Sequence, residues 1–246
     1  SLLPWPVFGD DIRFYSNREA RWRSTAMPIQ RYEIDFEPLS ADALIAWRDL
    51  PPAIVSDCMN RTGVMASAIK PVAAGTRMLG QARTVTCMVG DNAALHVALG
   101  FLRPGEIMVV DAGGFEDTAV WGGIMTRAAI KRGIGGLVVD GAVRDVAEIR
   151  ELGFSCFSRA IVPAGPHKGF GGVIDGLIAC AGCPVSPGDI VIGDDDGVCV
   201  VPLQRAAEIH AASLNKVAQE EETNAQTADG KLPAESLGLT EPQIIG

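Results

Sequence analysis

The chain is short of positive charge, of histidine and of long apolar runs. Lys and Arg number 21 against 30 Asp and Glu, a net charge of -9 with a sequence pI of about 4.8. That balance removes nucleic acid as a default partner, because binding phosphates needs a basic face. An anionic substrate stays open, since one local Arg overrides a global sign. No apolar run approaches the ~20 residues of a membrane span. At the N-terminus Trp5, Pro6, Asp10, Asp11 and Arg13 interrupt any secretory apolar core. A cytoplasmic protein with reduced thiols is therefore expected. Of the six cysteines, Cys58, Cys87, Cys156 and Cys199 stand singly among apolar residues and read as small core side chains. Cys180-Ala-Gly-Cys183 has no second C-x-x-C and no clustered histidine, of which the chain holds only three. Packing is the better reading of that pair than zinc. No internal repeat or low-complexity segment is present.

What is there suits an enzyme-sized α/β domain. The 246 residues are 48% hydrophobic, enough for a sizeable core in one large domain with appendages. Residues 1–38, rich in Arg, aromatics and Pro, have no clean period and read as an extension. Ser40 predicts a helix cap for 41–50, ended by Pro51-Pro52, and a second helix is expected over 53–61. A strand follows over 77–89, and Asp91 can cap a helix reaching Leu102. Strand 107–111, helix 121–132, strand 136–140, helix 145–152 and a short strand over 154–157 then alternate, which implies parallel βαβ units. Residues 160–188 are dense in Gly and Pro and take no clear assignment. Two apolar runs flank Asp196-Gly197 over 189–202, a hairpin pattern. A charged helix is expected over 203–225.

Two strand-to-helix turns concentrate the chemistry. The turn after Asp111 opens its helix with Gly122-Gly123-Ile124-Met125, where free N–H groups can bind an anion. The turn after Asp140 runs through glycine and delivers Arg144 and Asp145 side by side. Adjacent parallel strands place both turns on one sheet edge, where ligands of open α/β sheets bind. A guanidinium and amides suit a carboxylate, and Asp145 suits a hard metal ion. Arg144 with Asp145 also fits a surface pair capping the next helix. Asp140 is expected to orient Arg144. Asp194-Asp195-Asp196 fits the hairpin turn better than a cation site. His167-Lys168 reads as an exposed loop pair that could also touch a second substrate carboxylate, and His96 reads as packing or surface.

The chain resembles the RraA-like family, which includes the class II 4-hydroxy-4-methyl-2-oxoglutarate / 4-carboxy-4-hydroxy-2-oxoadipate aldolases. The resemblance rests on Ile54 to Asp57, Gly80 to Val85, Arg103-Pro-Gly105 with Val109 to Asp111, Trp121-Gly122, Ala128 to Gly133, Asp140 to Asp145, and Pro187 to Asp189 with Asp194 to Val198. It implies an α/β/β/α sandwich of the swivelling, phosphohistidine-domain type over 39–205. Residues 206–246 would form a C-terminal helix and tail against a neighbour in a homotrimer or hexamer. It further implies a lyase, aldolase or decarboxylase, acting on a 2-oxo acid through a pyruvate-enolate intermediate. Asp145 would bind Mg2+ or Mn2+, with water on the metal moving protons. Arg144 would hold the pyruvoyl end and the amides of Ile124 and Met125 its carboxylate, at a helix start made of Gly122 and Gly123. Glu220 or Glu221 of a neighbouring subunit would complete the site. One position departs: where the family's aldolases carry an acid, this chain has Gly123. Glu116 or Asp117 could substitute. The family's name-giving branch inhibits an RNA-degrading enzyme, so a protein-binding regulator is the alternative reading.

Overall fold

The computed structural model describes residues 28–239 and 241–245, so residues 1–27 of the expected extension lie outside the described residues. In chain order the elements are β1 (Ile29–Arg31), α1 (Ala41–Ile45), α2 (Pro52–Cys58), β2 (Lys70–Pro71), β3 (Met78–Cys87), α3 (Ala93–Ala98), β4 (Ile107–Trp121), α4 (Gly123–Lys131) and β5 (Gly136–Val143). Then follow α5 (Val146–Glu151), β6 (Cys156–Ile161), β7 (Gly172–Ile174), β8 (Ile178–Cys180), β9 (Cys183–Val185), β10 (Ile190–Asp194), β11 (Gly197–Val201), α6 (Ala206–Ala228) and α7 (Pro233–Ser236).

Strands β3, β4, β5 and β6 pair in parallel, and the alternating strand and helix pattern of 107–152 requires this. Strand β7 pairs antiparallel with β3 and parallel with β1, and β2 closes the other edge against β6. The period-2 pattern of β4 sends Met108 and Val110 to one face and Ile107 and Val109 to the other. The first face packs on α3, α4 and α5 through Leu95, Met125 and Ile149. The second packs on the β8–β9 and β10–β11 hairpins through Cys180, Val191 and Val200. The outer face of β10–β11 meets α2 and α6 through Val55, Ile192 and Ile209. Three apolar seams thus separate four layers, the expected α/β/β/α order.

Local departures have local causes. Ser40 caps α1 as predicted, its Oγ accepting from Ala43 N at 3.2 Å. The helix ends at Ile45 because Trp47 and Leu50 turn inward to join the third seam. Helix α3 stops at Ala98, just ahead of Gly100; Asn92 holds the N-cap position without a side-chain bond, and the Asp91 carboxylate accepts from the first helical N–H, Ala93 N, at 2.8 Å. Strand β5 continues through Gly141 to Val143, so that glycine makes no turn. A Cβ there would lie 2.9 Å from the Ala112 Cβ, where β4 bulges on either side of Phe115, the residue registered opposite Gly141, before Ala119 pairs with Ala142. In the stretch that took no assignment, β8 and β9 form a tight hairpin with Ala181 and Gly182 at positive φ. Cys180 and Cys183 face each other across it as buried free thiols. The hairpin expected around Asp196-Gly197 forms, with Asp194 Oδ1 accepting from Asp196 N and the Asp195 carboxylate from Gly75 N.

Candidate functional site

Strands β4 and β5 end side by side, Trp121 opposite Val143. Trp121 is buried, stacks on Phe154 at 6.1 Å, and donates from Nε1 to Thr126 Oγ1 at 2.8 Å. Thr126 in turn donates to Gly122 O, which ties the first turn of α4 to the strand end. Gly122, the N-cap, is extended and carries no capping side chain. Its usual role passes to Asp145, whose Oδ2 accepts from Gly123 N at 2.9 Å. A Cβ on Gly122 would stand 2.6 Å from that oxygen, so glycine is needed for the close approach. The N–H groups of Ile124 and Met125 precede the first intrahelical bond, Thr126 N to Gly122 O, and are left to an outside acceptor.

Asp145 caps α5 from the left-handed region, φ 58° and ψ 35°. A non-glycine residue held there costs on the order of 1–3 kcal/mol, and such strain clusters at functional positions. Arg144 has one ion-pair partner among the described residues, Asp145 Oδ2 at 3.7 Å. Its guanidinium lies against Gly165, where a Cβ would come within 2.5 Å of Nη1, and its stem against Gly122. Glycines on two sides thus admit the side chain without spending its donors.

These residues line one pocket of about 80 Å3: Gly122, Ile124, Met125, Arg144 and Asp145, with Trp121, Asn92, His96, Pro166 and Lys168. Gly123 adjoins it through its bond to Asp145. The first five were expected from sequence. Asn92 was not; His96 was expected as packing or surface, and Lys168 as part of an exposed loop pair that could touch a second substrate carboxylate. The Lys168 loop is built in, because the fully buried Asp91 accepts from Gly169 N and Phe170 N with one oxygen and from Ala93 N with the other. Burial, reinforced by the Lys168 charge, lowers the His96 pKa. The clustering of Gly and Pro over 163–169 was the available signal.

Other expectations are corrected. Asp140 does not orient Arg144: it accepts from Arg159 Nε at 2.5 Å and from Ala181 N at 2.9 Å, on the far face of the sheet. Glu116 and Asp117 sit exposed on the β4 bulge, where Glu116 acts on Arg159 instead. The carboxylate over Gly123 is that of Glu148, held by Arg127 at 2.7 Å, and a Cβ on Gly123 would run into it. Glu220 and Glu221 lie on α6, in the outer layer opposite α4, with Glu220 3.8 Å from Lys216.

The matching family model is RraA-like (Aldolase/RraA), over residues 52–200. The chain belongs to the RraA-like family. A candidate 4-hydroxy-4-methyl-2-oxoglutarate aldolase of Halalkalibacterium halodurans is 34% identical over 193 residues, 78% of this chain and 89% of that protein. The 4-hydroxy-4-methyl-2-oxoglutarate aldolase of Thermus thermophilus is 32% identical over 60% of this chain and 90% of its own. Among solved structures, Streptomyces coelicolor RraAS2, described as an unusual member of the RNase ES inhibitor RraA family, superposes with a TM-score of 0.71. It is 26% identical, over 77% of this chain and all of that one. The RraA-like fold is therefore shared along most of the chain, and close relatives carry aldolase names.

Proposed function

We propose that the chain is a divalent-cation-dependent carbon–carbon lyase, aldolase or decarboxylase, acting on a 2-oxo dicarboxylic acid. The observation that carries this reading is Arg144, a guanidinium with unspent donors beside the unspent amides of Ile124 and Met125, in one pocket. Those amides take the substrate's carboxylate. Arg144 bridges to the keto-acid end in a planar fork and faces the negative charge that develops there as the carbon–carbon bond breaks. Lys168 supplies the charge for a second carboxylate. Small-molecule acids, not nucleic acid, are the partners this pocket fits.

The residues also fit Mg2+ or Mn2+. No group of three or more His, Cys, Asp or Glu side chains gathers among the described residues, which disfavours zinc. A half-exposed carboxylate is what Mg2+ takes when water and substrate fill its other positions, and Asp145 Oδ1 is unspent. When bound, the cation supplies Lewis-acid polarisation of the keto oxygen. A trimer or hexamer, with Glu220 or Glu221 reaching a neighbour's pocket, belongs to the same reading.

The test is pyruvate release across 4-hydroxy-2-oxo acids and oxaloacetate, with and without Mg2+. Metal-dependent release supports the lyase, and no release from any of them overturns it. The alternative, a regulator of RNA degradation, draws on Gly123 and on a Thermus thermophilus neighbour titled an RNA-processing inhibitor, 30% identical with a TM-score of 0.58. A stable complex with an RNA-degrading enzyme, together with silence in the pyruvate assay, supports that alternative. An acid at position 123 would meet Glu148, so restoring one calls for Gly123→Asp with Glu148→Ala.

A further inference from the structure

Two successive glycines open α4, and each makes room for a carboxylate from the start of α5. A Cβ at Gly122 would lie 2.6 Å from Asp145 Oδ2. A Cβ at Gly123 would lie 2.5 Å from the carboxyl carbon of Glu148 and 2.6 Å from its Oε1. Asp145 is the N-cap of α5 and Glu148 stands in its first turn, a spacing of three that puts both on one side of that helix. The two carboxylates therefore flank a single residue, Asp145 at the N–H of Gly123 and Glu148 over its Cα. Neither is used up by the protein. Glu148 Oε1 accepts from Arg127 Nε at 2.7 Å, and among the described residues Oε2 has no hydrogen-bond donor. Asp145 commits Oδ2 to Gly123 N and keeps Oδ1. Arg127 is 66% exposed, so its ion pair with Glu148 contributes little to stability. The positive end of α4 offsets the repulsion of the two carboxylates in part. A divalent cation offsets it further, and Mg2+ is held by one or two carboxylates with water and substrate completing its shell.

We propose that Glu148 is the second carboxylate of the cation site, adding its charge to that of Asp145 for one divalent ion. The inference rests on the reading of Asp145 as a cation carboxylate. It gives Gly123 a purpose: any side chain there would push Glu148 out of its place. The charge beside the start of α4 is then supplied from α5 and not from α4 itself. Arg127 holds Glu148 from the outside, by one oxygen, and leaves the other free.

The experiment is Mn2+ binding to the full chain without substrate, read from the electron paramagnetic resonance of free Mn2+, with thermal melting in parallel. Glu148→Gln keeps an acceptor for Arg127 and removes the charge. It should weaken Mn2+ binding about 10- to 100-fold, the scale on which groups around a metal ligand act, with a melting curve that coincides with wild type. Arg127→Leu breaks the same ion pair but leaves the carboxylate, and should bind Mn2+ at least as tightly as wild type. Wild-type affinity in Glu148→Gln overturns the proposal. So does an equal loss in Glu148→Gln and Arg127→Leu, which would make the pair a purely structural clamp. If Glu148→Gln melts lower than wild type, the carboxylate is moved from α5 to α4 by Gly123→Asp with Glu148→Ala. Mn2+ binding recovered over Glu148→Ala alone supports the proposal, and no recovery overturns it. Failure of wild type to bind Mn2+, or unchanged binding by Asp145→Asn, instead overturns the reading of Asp145 as a cation carboxylate and the proposal with it.

Discussion

Arg83 and Arg144 each have an aspartate beside them in the left-handed region, Asp175 at φ 62° and Asp145 at φ 58°, and there the likeness ends. The Arg83 side chain is fully buried. Its Nε and Nη2 donate to the two Asp175 oxygens at 2.7 Å, and Nη1 donates to Glu106 at 2.8 Å and to Phe101 O at 3.1 Å. Asp175 also accepts from Arg31, and Glu106 from Arg103 N. Burial works against the Arg83 charge, but the bonds and attraction of Asp175 and Glu106 outweigh it and raise its pKa. Arg144 is 40% exposed and only 3.7 Å from its aspartate. The same residue types therefore brace the sheet in one place and keep their donors unspent in the other. What separates them is how many of their hydrogen-bonding positions are already filled.

Breaking the braced pair gives the largest expected effect. Asp175→Ala strands a buried guanidinium and should cost about 3–5 kcal/mol of stability in urea unfolding. Arg144→Ala removes an exposed pair and should cost less than about 1 kcal/mol. Equal losses would erase the distinction. The ranking inverts for chemistry: Arg144→Ala should lower pyruvate release about 100-fold or more at an unchanged melting temperature, the scale of a lost charge-stabilising donor. Gly122→Ala sharpens the contrast by displacing chiefly the Asp145 carboxylate, since its Cβ meets Oδ2 at 2.6 Å and the Arg144 stem only at 3.1 Å. A roughly tenfold loss of Mg2+-dependent activity is expected, about 1.4 kcal/mol in the barrier. Asp145→Asn keeps a residue tolerant of left-handed backbone and an acceptor for Gly123 N. It should shift stability by less than about 1 kcal/mol while removing the Mg2+ requirement or the activity. The smallest effect concerns thiols. Burial pushes Cys87, Cys156 and Cys199 up to about 12 and Cys183 to about 11, so none should alkylate at pH 8 in the folded chain.

The layered fold was legible because period-2 strands and helical segments alternate cleanly between Ile107 and Leu152. The five pocket residues from the two turns were legible for the same reason: parallel neighbouring strands leave their loops on one edge. Asn92 and His96 were not, and Lys168 only as one of two readings, since all three reach the pocket through the α3 region and a Gly/Pro-rich loop whose path depends on the buried Asp91. Asp140 misled because a carboxylate at a strand end says nothing about which face it serves, and its partner Arg159 lies on β6. The role of Gly141 was hidden by the β4 bulge. A glycine that follows an aspartate at the end of an apolar run signals a turn until a neighbouring strand is known to crowd it. Glu148 over Gly123 was out of reach for the same reason, since nothing in the order of residues joins α5 to the start of α4.

The most direct test compares wild type with Arg144→Ala for pyruvate released from 4-hydroxy-4-methyl-2-oxoglutarate in Mg2+, with thermal melting run in parallel. The account predicts metal-dependent release by wild type, its loss in the variant, and coincident melting curves. Release undiminished in a folded Arg144→Ala would contradict it.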